Sequence, residues 1–414
     1  MISQDEYSER VILAAVSEGS EEETAASLRE LADLASTAGA EVVETLVQKR
    51  EKIHPSTYVG SGKLEELKGM VYLYDADGII CDDELSPVQL RTLADELECK
   101  VFDRTLLILD IFAQRARTKE GRIQVELAQL RYRASRLVGL RKSLSRLGGG
   151  IGTRGPGEKK LEIDRRVIGE RISALKKELE DVVRHREVQR AGRQKGEIHT
   201  AAIVGYTNAG KSTLLNTLTG SAVLEQDALF ATLDPTTRIF DLPQGGQMLL
   251  TDTVGFIRKL PHHLVDAFKS TLEEAVYADM IIHVVDASNP NMTEQMNTVY
   301  ETLDMLGVKG KPVLTLFNKI DRRINDDPLI DARADRTLKI SAKHHIGLEE
   351  IPEAISDLLV GRKLYIERLY PYDQGRKVAL IRMKGQLVSE EFTPEGIEVK
   401  AYIPLSLYNA VDLE

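Results

Sequence analysis

The run Gly205-Tyr206-Thr207-Asn208-Ala209-Gly210-Lys211-Ser212 has the residue types and spacing, G-x-x-x-x-G-K-S, of a loop that cradles phosphates. Its glycines let successive backbone N–H groups turn toward phosphate oxygens. A helix starting at about Thr213 adds a favourable dipole. Lys211 would reach the outer phosphates, and the Ser212 hydroxyl suits a magnesium ion. Three more motifs follow in the order such a loop requires. Asp252-Thr253-Val254-Gly255 offers a carboxylate to hold magnesium through water and a Gly255 N–H to sense a terminal phosphate. Asn318-Lys319-Ile320-Asp321 ends in a carboxylate that accepts from the ring N–H and exocyclic amine of guanine. Adenine has neither donor there, so ATP would leave a buried carboxylate unpaired. Ser341-Ala342-Lys343 would bring a backbone N–H to the guanine carbonyl oxygen. Together they imply a magnesium-dependent site for GTP and GDP. One more metal ligand is expected from a threonine in Phe230-Ala231-Thr232-Leu233-Asp234-Pro235-Thr236-Thr237, where spacing leaves Thr232, Thr236 and Thr237 open.

These motifs need strand ends to hold them. Apolar runs predict strands at Thr200 to Val204, Arg238 to Leu242, Gln247 to Thr251, Met280 to Val285, Pro312 to Phe317 and Leu338 to Ile340. Helical stretches fall near Pro261 to Ala278, Asn291 to Leu306 and Leu348 to Leu359. The expected unit, residues 197–361, is a doubly wound α/β domain binding ligand at the carboxyl ends of its strands. Phe256 stands where Ras-like enzymes carry a glutamine that orients the attacking water. A phenyl ring cannot do that, so slow intrinsic hydrolysis completed by a partner is expected.

Upstream the period changes. Ile123, Leu127, Leu130, Ala134, Leu137, Leu140, Leu144 and Leu147 recur at steps of three and four, and Leu161, Ile168, Ile172, Leu175, Leu179 and Val182 resume the pattern. Residues 113–196 therefore read as an antiparallel helical hairpin around a glycine-rich loop, 148–160. The chain's 414 residues hold 55 Lys and Arg against 65 Asp and Glu, yet 23 and 10 of these fall between Ala113 and Gly196. That segment carries +13 and the rest of the chain −23. Such asymmetry predicts a polyanion-facing arm, with Arg154, Lys159, Lys160, Arg165 and Arg166 as candidate RNA contacts. Docking of the hairpin to a protein is the rival reading.

Residues 1–112 alternate strand and helix signals, which predicts a small α/β domain. Ser86-Pro87-Val88-Gln89 should open a helix with a capping box and Pro at its first position, and Val101 to Phe112 is a final apolar run. Gly60-Ser61-Gly62-Lys63 resembles a phosphate loop superficially. Thr57 replaces the first glycine and Leu64 the metal-binding hydroxyl, so a structural or surface role is expected for Lys63. In residues 362–414, Leu364 to Leu369, Lys377 to Met383 and Gly396 to Ile403 read as strands of a small appendage, overall α+β. Cys81 and Cys99 are the sole cysteines, which fits a reducing compartment. The acidic start lacks a signal-peptide pattern and there is no uncharged apolar run of membrane-spanning length, so a cytoplasmic location is expected, with peripheral membrane association left open.

The four nucleotide motifs, Phe230-Ala231-Thr232-Leu233-Asp234, and above all Gly148-Gly149-Gly150-Ile151-Gly152-Thr153-Arg154-Gly155-Pro156-Gly157-Glu158-Lys159-Lys160-Leu161-Glu162-Ile163-Asp164-Arg165-Arg166 resemble the HflX family, translation-factor-related GTPases of the Obg–HflX superfamily. The family signature usually has Thr where Lys159 or Lys160 stands, and this departure adds positive charge at the glycine-rich loop. The resemblance covers at least residues 1–361. It implies that Thr232 is the threonine on magnesium and that Phe230 to Asp234 belong to the nucleotide site. It also implies that a hydrophobic residue at position 256 is shared across the superfamily. The implied partner is the large ribosomal subunit and its rRNA, not DNA, with the hairpin loop near the peptidyl-transferase centre, and some members split stalled ribosomes after stress. The protein is expected to be monomeric off the ribosome. Two other readings remain: a nucleotide-driven remodeller of rRNA or ribosome assembly, since the family has been linked to ATP, and a GTP-gated protein-docking scaffold.

Overall fold

A computed structural model of the chain describes residues 8–147, 156–194, 198–220, 229–230, 234–242, 246–259, 272–323, 328–360, 363–404 and 411. Side chains at 138–161, 185–197, 360–364, 384, 386 and 404 also lie outside this description.

Near the N-terminus, four parallel strands lie in the order β2-β1-β3-β4: β1 (Glu9–Ser17), β2 (Ala40–Lys49), β3 (Gly78–Cys81) and β4 (Lys100–Asp103). A parallel strand covered on both faces reads as a continuous apolar run, and β1 is buried from Val11 through Ser17. Alternate side chains part to two cores. Val11, Leu13 and Ala15 meet α1 (Glu21–Thr37) and α4 (Arg104–Arg115). Ile12, Ala14 and Val16 meet α2 (Ser61–Leu73) and α3 (Pro87–Leu97). The capping box at Ser86 and Gln89 forms in both directions, at 3.2 and 2.8 Å. Lys63 lies in the first turn of α2 and pairs with Glu66 at 2.8 Å. The apolar run from Val101 to Phe112 does not form one element. Asp103 ends β4 and accepts from the Leu106 N–H at 2.8 Å, so its side chain starts a helix inside the run.

The hairpin is α5 (Lys119–Leu147) and α6 (Pro156–Gln194). Ile123, Leu127 and Leu175 are buried between the helices, flanked by Leu130, Ile172, Leu179 and Val182. Arg171–Glu126 and Lys119–Glu178 pairs fix the antiparallel register. Leu140, Leu144, Leu147 and Leu161, expected to extend the stripe, have side chains outside the described residues. Another face of α5 joins the N-terminal core through Val125, Ala128 and Tyr132. There the Asp103 carboxylate accepts from the Tyr132 hydroxyl and from Arg136, both midway along α5.

A six-stranded sheet follows, ordered β10-β9-β8-β5-β7-β6. Its strands are β5 (His199–Gly205), β6 (Thr236–Asp241), β7 (Gln247–Asp252), β8 (Met280–Asp286), β9 (Val313–Asn318) and β10 (Arg336–Lys339). Only the β6–β7 pair among these is antiparallel. The strand order reverses around β5, which places the switch point at the end of that strand. One face is covered by α7 (Lys211–Thr219) and α9 (Ile351–Val360). The other carries a helix described at 272–277 and α8 (Met292–Met305). Its apolar surface is continuous with the N-terminal core: Leu109, Phe112, Phe230, Phe256, Leu272 and Val299 belong to one buried cluster.

The last part holds β11 (Lys363–Tyr370), α10 (Gly375–Lys384), β12 (Gln386–Thr393) and β13 (Gly396–Pro404), with antiparallel strand order β11-β13-β12. Here the strand expected at Lys377 to Met383 is wrong. That stretch is α10, because Val378 and Ile381, three apart, bury one helical face against Ile366, Val399, Ala401 and Ile403. A short apolar run of this kind carries either period.

Candidate nucleotide-binding site

The loop after β5 sits where the sheet topology requires a ligand site. Gly205 passes so close to β8 that an added Cβ would lie 2.2 Å from the Val284 carbonyl oxygen. Gly210 caps α7 with φ +95°, and a Cβ there would meet Asn318 Nδ2 at 2.3 Å. Both approaches demand glycine. The Lys211 ammonium donates to the Tyr206 carbonyl at 2.8 Å and so lies folded over the loop. Burial lowers its pKa to about 8, with Asp252 opposing that shift. The Ser212 hydroxyl donates to Asp252 Oδ2 at 2.7 Å. A hydroxyl and a fully buried carboxylate meeting at the end of two strands are a hard-oxygen donor set of the kind magnesium takes.

The distant motifs converge on this loop. Asn318 Nδ2 donates to the Ala209 carbonyl at 2.9 Å while its Oδ1 accepts from Ala342 N at 2.9 Å. One side chain thus ties the phosphate loop to the segment Ser341-Ala342-Lys343. Lys319, at φ +61°, bridges the Asn208 carbonyl and Asp286, at 2.7 and 2.8 Å. The Ser341 hydroxyl donates to Asp321 Oδ1 and, as the leading cause, holds this carboxyl below its usual range. An ionised Asp321 is what guanine recognition needs. Ile320 opens a short 3-10 turn that presents Asp321, and Lys343 is exposed. Thr253 is buried and its hydroxyl donates to the Ile203 carbonyl at 2.8 Å.

The segment after β7 is laid along the phosphate loop. Thr207 N donates to the Phe256 carbonyl at 2.8 Å and Phe256 N to the Gly205 carbonyl at 3.1 Å. A Cβ on Gly255 would stand 2.7 Å from Thr207 Cγ2 and 3.1 Å from Lys211 Nζ. Val254 and the Phe256 ring are buried in the shared core, so no water-orienting group comes from Phe256.

Of the metal candidates, Thr237 spends its hydroxyl on Thr251 at 2.9 Å, and Thr236 lies in β6 opposite Asp252. Ala231, Thr232 and Leu233 lie outside the described residues. Phe230 is buried edge-to-face on Phe112, with centroids 4.7 Å apart. Asp234 differs from the expectation of a nucleotide contact, since its carboxylate is occupied by the start of α5. Among the RNA candidates, Arg165 and Arg166 are exposed, and Arg166 faces Glu170 at 3.8 Å. Arg154 and the side chains of Lys159 and Lys160 lie outside the described residues.

A set of residues that no local pattern marks links this site to the N-terminal sheet. Arg104 is 1% exposed and donates to Glu30, to Asp82 at 3.0 Å, to Ser27 and to the Arg258 carbonyl at 3.3 Å. Glu30 also accepts from the Tyr206 hydroxyl, which itself accepts from Arg258 N. Lys259 reaches back to Asp82 and Asp83. Phosphate loop and post-Gly255 segment are therefore both clasped by the N-terminal sheet.

Four motifs at the carboxyl edge of a doubly wound sheet, joined through Asn318 and Asp252, define a P-loop GTPase. Residues 200–319 match a family described as 50S ribosome-binding GTPase, 25–113 one described as GTP-binding GTPase N-terminal, and 115–193 one described as GTP-binding GTPase middle region. The GTPase HflX of Lacrimispora saccharolytica is 60% identical over 408 residues, 99% of this chain and 96% of that one. That of Escherichia coli is 44% identical over 352 residues, 84% and 83% of the two chains. A crystal structure of SsGBP with GDP aligns at 29% identity and TM-score 0.48, over 84% of this chain and 98% of that one. The chain belongs to the HflX family of GTPases. It is a GTP hydrolase of the ribosome-associated class. Among the described residues, no helix is long and apolar enough to cross a membrane.

Proposed function

We propose that this GTPase is a switch that binds the large ribosomal subunit through its basic hairpin, hydrolyses GTP there, and acts in splitting or rescuing stalled ribosomes. The observation that carries the reading is the pairing of a buried Phe256, which orients no water, with a +13 segment joined directly to the GTPase sheet. A site that lacks its own water-positioning side chain needs a partner to complete it, and a basic arm fits an RNA-rich one. Ser212 and Thr232 would hold magnesium directly and Asp252 through water, and the ion would neutralise charge on the β- and γ-phosphates. Gly205 to Thr213, Asp252 to Gly255, Asn318 to Asp321 and Ser341 to Lys343 would surround the nucleotide. Arg154, Lys159, Lys160, Arg165 and Arg166 would face rRNA. The protein would work in the cytoplasm as a monomer when off the ribosome. Co-sedimentation with large subunits in GDP, GTP and a non-hydrolysable analogue tests this. Binding should be tightest with the analogue and should fall steeply between about 50 and 200 mM salt. A response flat in salt would favour docking to protein instead.

A further inference from the structure

Asp234 closes the stretch Phe230-Ala231-Thr232-Leu233-Asp234, yet its carboxylate works on the helical hairpin. Oδ2 accepts from the backbone N–H groups of Arg117 at 2.8 Å and Thr118 at 2.9 Å. Oδ1 accepts from the Thr118 hydroxyl, whose oxygen in turn accepts from Gly121 N at 2.9 Å. Thr118 is thus the cap of α5, and Asp234, remote in sequence, completes that cap with a full negative charge at the positive end of a 29-residue helix. The fit is close. A Cβ on Gly121 would lie 2.5 Å from Asp234 Oδ1, so this glycine leaves the space that the carboxylate fills. Four residues earlier Phe230, at φ +55°, is pinned on Phe112 at the end of α4. Backbone in that region is costly for a phenylalanine and persists only where its surroundings hold it. The chain is therefore fastened to the base of the hairpin on both sides of position 232.

We propose that Asp234 is a positioning residue for the hairpin and not a nucleotide ligand. It reports the state of the nucleotide-sensing segment to the first turn of α5. The hairpin tip stands roughly 40 Å from that turn, at 1.5 Å per residue, so a small tilt at the cap is enlarged along the arm. The proposal rests on the GTPase reading, and its test needs no ribosome. Amide hydrogen exchange at Arg117, Thr118 and Gly121 is measured in the full chain, with GDP and with a non-hydrolysable GTP analogue. The wild type should exchange at different rates in the two nucleotides. Asp234→Ala should speed exchange about fivefold and erase that difference, as loss of a cap does. Asp234→Asn keeps one acceptor oxygen but loses the charge and the second acceptor, so it should restore only part of the difference. Gly121→Ala, which displaces the carboxylate without removing it, should behave like Asp234→Ala while GDP affinity is unchanged. Identical exchange in the two nucleotides for the wild type, or a nucleotide difference surviving in both Asp234→Ala and Gly121→Ala, would overturn the proposal. So would a GDP affinity for Asp234→Ala more than tenfold weaker with exchange at the three amides untouched. Failure of large-subunit binding alone would strike the proposed function and leave this proposal standing.

Discussion

Replacing Arg104 by Met tests how firmly the N-terminal sheet holds the GTPase site. The substitution keeps an unbranched apolar stem and removes the guanidinium. In the wild type that group is buried and serves Glu30, Asp82, Ser27 and the Arg258 carbonyl. Asp82 is 2% exposed, so it loses a partner without gaining water. Breaking a buried ion pair from one side typically costs about 3–5 kcal/mol, against a total domain stability of about 5–15 kcal/mol. With a urea slope near 2 kcal/mol per M, the transition of the N-terminal region should fall by about 2 M. The acid limb should move as well. Burial alone would raise the Asp82 pKa, but Arg104 and then Lys259 outweigh it and hold the carboxyl below its usual range. A carboxyl with a depressed folded pKa contributes stability above its unfolded value, about 3.9, and that contribution is lost as pH falls through the folded value. Without Arg104 the folded pKa rises, so the variant should begin to lose stability at a higher pH than wild type. Urea titrations at pH 7, 5 and 4 read both effects. A loss below about 1 kcal/mol at pH 7, with the acid limb unmoved, would refute the view of Arg104 as the hub of this contact. Arg104→Lys keeps the charge but not the fork, and should recover only part of the loss.

Three further outcomes follow from the site. Because burial brings the Lys211 pKa down to about 8, phosphate must bind a lysine that is mostly charged at pH 7 and mostly neutral at pH 9. Calorimetric GDP affinity should weaken about tenfold over that interval, and a flat profile would contradict it. Gly210→Ala should weaken GDP binding at least tenfold, since its Cβ would strike Asn318 Nδ2 and the backbone sits at φ +95°; wild-type affinity would show that the Asn318 tie is dispensable. Asp321→Asn should lower guanine-nucleotide affinity by roughly 10² to 10⁴-fold and improve binding of xanthine nucleotides, whose carbonyl accepts from the new amide. Undiminished GDP binding in a competition assay would remove Asp321 from the base pocket.

The parts of the fold that rest on local signals were legible in the residues. The Ser86–Gln89 box depends on near neighbours and forms as its residues predict, and so does the described part of the stripe, from Ile123, Leu127 and Leu130 to Ile172, Leu175, Leu179 and Val182. One local reading failed for a local reason: Lys377 to Met383 fits both the strand and the helix period. The nucleotide motifs were legible because a phosphate and a purine demand particular atoms at fixed spacing. The clasp of Glu30, Asp82 and Arg104 on Tyr206, Arg258 and Lys259 was not, since its residues lie far apart in the chain and are of types that usually face water. Asp234 was read with its neighbours in sequence, whereas its partners, Arg117 and Thr118, come from across the fold.

The central claim is that Phe256 leaves hydrolysis incomplete until the ribosome supplies what is missing. Single-turnover GTP hydrolysis with and without purified large ribosomal subunits, at low salt, tests it most directly. The rate should rise by orders of magnitude, within the roughly 10⁵-fold that partner groups achieve in other GTPases. A rate unchanged by saturating large subunits would contradict the account.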